Sequence, residues 1–178
     1  MVAPDGQRSA MSHRITLRET IEFFPVDFPV EGVHAYASTG TPADCVRFGI
    51  LNIVKEKPDY VFSGINYGYN SGTDIQYSAT VGSALEAACA GVHAVAFSEG
   101  ASECHEVTDA YLERMMEELM EQPLAYNQIW NVNFPQCELE KLRGILYDRK
   151  IADCGFFIDE YLEAVSYTHL RAHETSAH

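Results

Sequence analysis

Residues 60–98 read YVFSGINYGYNSGTDIQYSATVGSALEAACAGVHAVAFS, and this stretch decides the fold. It opens with a short apolar run at 60–62, which is typical of a buried strand. A turn-rich loop is predicted over 65–78, and the small residues of 79–91 predict a helix. The apolar run 92–98 predicts a second strand. A strand, a helix and a second strand in this order predict parallel strands of one sheet.

The flanking sequence continues the alternation of strands and helices. Before residue 60, Thr41 is the expected N-cap of a helix with Pro42 in its first position. After residue 98, a helix with a glutamate-rich wet face is expected. The other predicted segments are the end of a strand at 1–3, extended chain at 15–28, a strand at 36–39, the helix from Pro42 to about 56, the helix 107–121, a strand at 129–134 and the start of another at 144–148. The sequence therefore predicts one α/β domain with a mostly parallel sheet.

The composition excludes several classes of protein. The 178 residues carry 12 basic and 26 acidic side chains, a net charge of -14, so a broad basic surface for nucleic-acid polymers or membranes is excluded. No run approaches a membrane span and no export signal precedes the domain, which predicts a soluble cytoplasmic protein. Five cysteines without a C-x-x-C pair argue against a zinc knuckle or a disulfide framework.

The last thirteen residues stand apart from the rest of the chain. Residues 166–175 read SYTHLRAHET, which resembles the translation of a sequencing adapter rather than a natural protein. We therefore predict a domain over residues 1–165 and a non-native tail over 166–178. A metal-binding role for its histidines is the alternative.

Three loops follow predicted strands and share one chemical character. They cover 3–9, 39–45 and 63–70, and a helix start at 77–82 follows the third. Hydroxyls, side-chain amides, glycines and helix N-termini suit an anion, and ligands of such folds bind at the carboxyl ends of strands. For any single loop, turn and cap chemistry is the better explanation. The three loops together favour a phosphate-type ligand.

The motifs in these loops resemble the survival protein SurE family of metal-dependent nucleotidases over about residues 1–163. The resemblance rests on seven collinear motifs, APDGQRSA (3–10), SHRITL (12–17), GTPADCV (40–46), PDYVFSGINYGYN (58–70), YSATVGSALE (77–86), WNVNFP (130–135) and RGILYD (143–148). It implies a three-layer, Rossmann-like fold and a phosphomonoesterase that hydrolyses nucleoside 5′- or 3′-monophosphates with Mg²⁺ or Mn²⁺. The cation would polarise the phosphoryl oxygen and help to ionise a water.

The resemblance also assigns roles to individual residues. Ser9 and Asn66 match metal ligands of the family, and three further residues match its phosphate-binding positions, namely Asn70, Ser78 and Thr80. Gly40 and Thr41 are expected on the substrate side of the second loop. A homo-oligomer, a dimer or a tetramer, is implied for the full-length parent.

The sequence departs from the family in four places. The family's Asp-Asp metal ligands lie in a first strand and loop that this chain lacks, and no Asp-Asp dipeptide occurs in it. A usual Ser-Gly-Thr-Val is Ser-Ala-Thr-Val at 78–81, and a commonly basic residue is Tyr67. The family's C-terminal region is also absent. We therefore expect an internal, inactive part of a nucleotidase that lacks the first strand of its sheet.

Several alternatives remain at this point. Asp44 suits either a catalytic acid or a carboxylate facing a helix N-terminus, which we favour. Asp74 is either a residue near the metal site or a solvent-facing loop residue. His13 is either a proton donor to the leaving group or a surface residue. A non-catalytic nucleotide- or phosphate-binding module is the rival function. A serine hydrolase would need a G-x-S-x-G elbow, which the sequence lacks.

Overall fold

The computed structural model describes residues 1–155, 157–163 and 170–176. Its strands are β1 (Val2–Pro4), β2 (Phe23–Val26), β3 (Ala35–Ser38), β4 (Tyr60–Tyr67), β5 (His93–Glu99), β6 (Trp130–Phe134), β7 (Phe157–Glu163) and β8 (Leu170–Ser176), and its α-helices are α1 (Pro42–Phe48), α2 (Ala79–Cys89) and α3 (Glu106–Glu121). Strands and helices alternate from β3 to β6. The α/β class is therefore confirmed.

The central sheet carries the predicted parallel order. It contains β4, β5 and β6 in that order, all parallel, with α2 joining the first pair and α3 the second. Side chains of β5 alternate between two cores: Ala94 and Ala96 pack against α2, while Val95 and Phe97 pack against α3. Helices on opposite faces make three layers, as the resemblance implied.

A second, smaller sheet holds the N-terminal strands. β3 lies between β1, to which it is parallel, and β2, to which it is antiparallel. Among the described residues, β1 pairs only with β3 and β4 pairs only with β5. Within the described residues, one edge of β1 and one edge of β4 are therefore unpaired. The sequence predicts a single sheet, and its strands form two sheets that are separated at these two edges.

Several elements differ from the prediction. The first helix begins as expected but its α-helical part ends at Phe48 and continues as a π-helical turn, Gly49–Ile53, where Asn and β-branched residues favour helix poorly. The extended chain over 15–28 is a strand only at Phe23–Val26, where β3 offers it an edge. Residues 144–148 have no strand partner among the described residues, and the strand predicted there is wrong.

The C-terminal strands were not predicted. β7 and β8 pair antiparallel with each other. The proposed boundary between residues 165 and 166 lies outside the described residues, as do 166–169 and 177–178 of the predicted tail. The non-native origin of the tail stays a prediction. Across the residues that the structure describes, no helix is both long and apolar enough to span a bilayer.

Candidate functional site

The open edges of β1 and β4 face a cleft of about 1300 Å³. We call it the β1–β4 cleft. Its lining includes both edge strands, the loop after β1, the loop after β4 and the start of α2. The predicted metal and phosphate residues all line it, namely Ser9, Asn66, Asn70, Ser78 and Thr80. Gly40 and Thr41, expected on the substrate side, are not among the lining residues that the structure describes.

Asn66 lies on β4 rather than in the predicted loop. The pairing of β4 with β5 shifts by one residue between Ser63 and Asn66. A regular strand would place Ile65 opposite Ser98, but the extra residue places Asn66 there. Its side-chain Nδ2 donates to the carbonyl of Gly68 at 2.8 Å. This hydrogen bond fixes the amide and leaves Oδ1 as the side-chain atom that could bind a cation.

Asn70 ties the loop after β4 to the carboxyl ends of both neighbouring strands. Its Nδ2 donates to Ser98 Oγ on β5 at 2.6 Å, and its backbone N–H donates to Asn133 Oδ1 on β6 at 2.8 Å. Its carbonyl accepts from the side-chain amides of Asn131 and Asn133. Asn70 is buried, so its hydrogen bonds hold the loop in place at the strand ends.

Ser78 and Thr80 stand at the start of α2. Ser78 is the N-cap, and its Oγ accepts from the backbone N–H of Val81 at 3.1 Å. No acidic residue occupies the first turn of this 11-residue helix. The helix N-terminus therefore presents partial positive charge to the cleft, where an anion is stabilised.

The loop that carries Ser9 is anchored to α2. Ser12 donates twice to the segment before that helix, from its N–H to the carbonyl of Tyr77 at 2.9 Å and from Oγ to the carbonyl of Gln76 at 2.6 Å. Gly82 of α2 lies against the backbone of Ser12 and His13, so closely that a β-carbon there would overlap them. The close packing sets the position of the loop, and Ser9 itself is exposed.

Glu86 joins three distant parts of the chain. This carboxylate on α2 is buried and contacts His13 Nε2 and Arg47 Nε, each at 2.7 Å. His13 is therefore held by a carboxylate, and it is not among the residues lining the cleft that the structure describes. The geometry favours a positioning role for His13, rather than the proton-donor role left open above.

Thr41 and Asp44 form a capping box at the start of α1. Asp44 also accepts from the N–H and the hydroxyl of Thr16, at 2.9 and 2.7 Å. Burial alone would raise the pKa of Asp44, but the hydrogen bonds from Thr16 and Thr41 outweigh it and hold that pKa below its ordinary value. The carboxylate is thus committed to the helix cap, and Thr41 Oγ1 donates to the carbonyl of Arg14.

Two kinds of cleft residue received no role in the site from the sequence. Arg8 is the one lysine or arginine among the described lining residues, and its Nη2 pairs with Asp5 Oδ1 at 2.9 Å. Tyr67 and Tyr77 also line the cleft, with 58% and 64% of their surface exposed. The available signal in the sequence was the position of the two tyrosines directly beside Asn66 and Ser78. Cys45 lines it too, but burial raises the pKa of its thiol to about 11, which makes it a poor nucleophile.

The described residues do not by themselves fit a hard divalent cation. Ser9 Oγ and Asn66 Oδ1 supply two neutral oxygens, whereas Mg²⁺ is ordinarily held through one or two carboxylates. Asp74 is the one carboxylate among the described lining residues. No group of three or more His, Cys, Asp or Glu side chains within the described ranges could hold a metal.

Comparison with known proteins gave concordant matches. The family model for "Survival protein SurE" matches residues 1–153. A "5'-nucleotidase SurE" of Thermoanaerobacter sp. (strain X514) is 44% identical over 139 residues, covering 76% of this chain and 54% of that protein. One of Carboxydothermus hydrogenoformans is 39% identical over 153 residues, covering 84% and 58%. The crystal structure of a SurE protein from Aquifex aeolicus has a TM-score of 0.75 at 29% identity, covering 98% of this chain and 70% of that one. The chain spans about half the length of these two curated relatives.

Proposed function

The chain belongs to the survival protein SurE family, and from that premise we propose that it is part of a 5′/3′-nucleotidase, a phosphomonoesterase that hydrolyses nucleoside monophosphates to nucleoside and phosphate. One observation carries the proposal. Five residues from three separate segments, Ser9, Asn66, Asn70, Ser78 and Thr80, line a single cleft. Hydroxyl and amide groups beside a helix N-terminus can bind a phosphoryl group through hydrogen bonds.

The phosphate lies, in this proposal, at the start of α2. There the helix N-terminus and the hydroxyls of Ser78 and Thr80 stabilise negative charge that grows on the phosphoryl oxygens during hydrolysis. Asn70 takes part chiefly by holding the loop, since its Nδ2 is engaged by Ser98. The net charge of -14 is no obstacle, because the field of a local N-terminus acts over the first turn of its helix.

A divalent cation, Mg²⁺ or Mn²⁺, completes the proposed enzyme and supplies Lewis-acid activation of the phosphate and of water when it is bound. Ser9 Oγ and Asn66 Oδ1 are its proposed ligands in this chain. The carboxylates that a hard cation needs come, in the proposal, from protein outside the 178 residues. The open edges of β1 and β4 offer a strand-shaped space for such a segment. The 178-residue chain is accordingly proposed to be inactive alone.

Two assays separate this proposal from its rival, a non-catalytic phosphate- or nucleotide-binding module. Release of inorganic phosphate from 5′-AMP with Mn²⁺ is measured for the 178-residue chain and for a longer form carrying an N-terminal Asp-Asp segment. The longer form should hydrolyse 5′-AMP only with the cation, and the shorter chain should not. Calorimetry with 5′-AMP then tests the rival: tight binding without cation and no hydrolysis by either form would replace the enzyme by a binding module.

The resemblance also supports proposals about the setting of the enzyme. We place it in the cytoplasm as a homo-oligomer of the full-length protein, a dimer or a tetramer. Its substrate is a small nucleotide rather than a nucleic-acid polymer or a membrane surface. Sedimentation of the longer form tests the assembly, and a monomer at assay concentrations would contradict it.

A further inference from the structure

Two tyrosine rings in the β1–β4 cleft are exposed where buried packing would be more favourable. Tyr67 is 58% exposed and Tyr77 is 64% exposed, although a buried tyrosine ring contributes strongly to stability. Both line the cleft. Neither phenol makes a hydrogen bond with any residue in the described ranges. Their sequence positions are immediately beside a proposed metal ligand, Asn66, and the N-cap of α2, Ser78.

The other two tyrosines of the cleft lining differ in this respect. The hydroxyl of Tyr60 donates to the carbonyl of Met120, and the hydroxyl of Tyr69 accepts from the N–H of Gln136 at 2.9 Å. Both are engaged in holding the fold together. Tyr67 and Tyr77 are thus distinguished from them by exposure and by their lack of hydroxyl partners among described residues.

The backbone that carries each exposed ring is nevertheless fixed. Tyr67 pairs with Glu99 of β5, and the next N–H, of Gly68, donates to the Glu99 carbonyl at 2.9 Å. At Tyr77, the N–H donates to the carbonyl of Asp74 and the carbonyl accepts from Ser12, both at 2.9 Å. A ring on a fixed backbone loses little freedom when a ligand covers it, which favours binding.

We propose that Tyr67 and Tyr77 form an aromatic wall against which the nucleobase of a nucleoside monophosphate stacks. The inference rests on the proposed function, because the phosphate at the start of α2 sets where the base can reach. In a nucleoside monophosphate the base is separated from the phosphate by one ribose. A base on this short spacer can reach rings that neighbour Ser78 and Asn66 in the sequence. Stacking needs no charged partner from the protein, which suits this cleft. Arg8 is the one lysine or arginine among the described lining residues, and it is already paired with Asp5.

Stacking on a tyrosine face recognises the flat ring of any base rather than its hydrogen-bonding edge. The wall therefore predicts that the protein binds all four common nucleoside monophosphates, with purines favoured by their larger faces. It also predicts a clear distinction between a nucleotide and the same sugar phosphate without a base.

The test compares 5′-AMP with ribose 5-phosphate on the 178-residue chain, by NMR titration, which measures weak affinities without turnover. We expect 5′-AMP to bind about tenfold more tightly, a difference typical of one stacked base. Tyr67→Leu and Tyr77→Leu should each remove several-fold of that preference and leave ribose 5-phosphate binding unchanged. Tyr67→Phe should retain it. Tyr126→Leu is the matched control, since Tyr126 is 74% exposed and does not line the cleft.

Each outcome bears on the inference. Equal binding of 5′-AMP and ribose 5-phosphate would overturn the aromatic wall and leave the phosphate site standing. Weaker binding of both ligands by the leucine variants would also overturn it, because that pattern reports a structural role. If neither ligand binds, the phosphate site itself is refuted, and the proposed function and the wall are both withdrawn.

Discussion

Gly82→Ala tests whether the packing of α2 against the Ser9 loop sets the site. Gly82 is buried in α2, and a β-carbon there would lie 2.8 Å from the carbonyl carbon of Ser12 and 2.9 Å from Cα of His13. Both neighbours are backbone atoms, which cannot turn aside as a flexible side chain can. The loop must therefore move away from the helix, and Ser9 must move with it.

The magnitude follows from three contributions. Overpacking of this kind costs about 1–3 kcal/mol. Displacing Ser12 weakens its hydrogen bonds to Tyr77 and Gln76, a further cost of about 1 kcal/mol. Alanine is the better helix former by about 1 kcal/mol, which offsets part of the loss. The net expectation is a loss of about 2 kcal/mol, or about 4–8 °C in melting temperature.

Urea unfolding followed through Trp130, the single tryptophan, measures the change. Gly49→Ala is the matched control. Gly49 has helical angles (φ -54, ψ -51), and a β-carbon there meets Val2 Cγ2 at an ordinary 3.4 Å. That variant should be neutral or slightly more stable. If Gly82→Ala is as stable as the parent chain, or if both variants lose stability equally, close packing at Gly82 does not hold the loop.

Two further predictions concern ionisable groups. Asp44→Asn should cost about 2 kcal/mol, because one of the two accepting oxygens at the helix cap is lost. Since the folded pKa of Asp44 is lowered, its contribution is present above its ordinary value of 3.8 and is lost as the pH falls through the folded pKa. As the pH is lowered from 7 to 3, the urea midpoint should therefore fall less steeply in Asp44→Asn than in the parent. Equal slopes in the two proteins would contradict this. Asp27→Asn, at an exposed position, is the control. In the second, the hydrogen bond from His105 to Glu99 raises the pKa of His105 above 6.5, so its contribution is present below 6.5 and is lost as the pH rises through the folded pKa. Glu99→Gln should lower the His105 pKa in an NMR titration, whereas Glu56→Gln should not, and an unchanged value in Glu99→Gln would refute the pairing.

Local chemistry made much of the fold predictable. The cap at Thr41, the proline after it and Asp44 in the first turn act within a few residues, and the structure contains that capping box. At the start of α2, Ser78 also acts locally, as an N-cap whose side chain accepts from the N–H of Val81. Apolar runs separated by these signals are enough to predict the alternation of strands and helices.

Long-range pairing explains what the sequence did not predict. Residues 65–67 begin the turn-rich stretch 65–78, yet Asn66 and Tyr67 extend β4 because β5 offers them partners. The partner of Asn70, Ser98, lies 28 residues away, and that of His13, Glu86, lies 73 residues away. No local sequence pattern indicates contacts between residues so far apart in the chain. The residue types of the site were thus predictable, whereas the hydrogen bonds that hold them were not.

The irregular residue in β4 has a consequence for how the protein can change. It lies between Ser63, the last residue paired before the shift, and Asn66, the first residue paired after it. In the half before the shift, Val61 and Phe62 pack against the two cores, whereas the half after it carries Asn66, the proposed cation ligand. Because the register shift separates them, a substitution that slides the core half need not displace Asn66. The strand can therefore accumulate mutations in its core half while the position of Asn66 is preserved, an independence that an unbroken ladder would not allow.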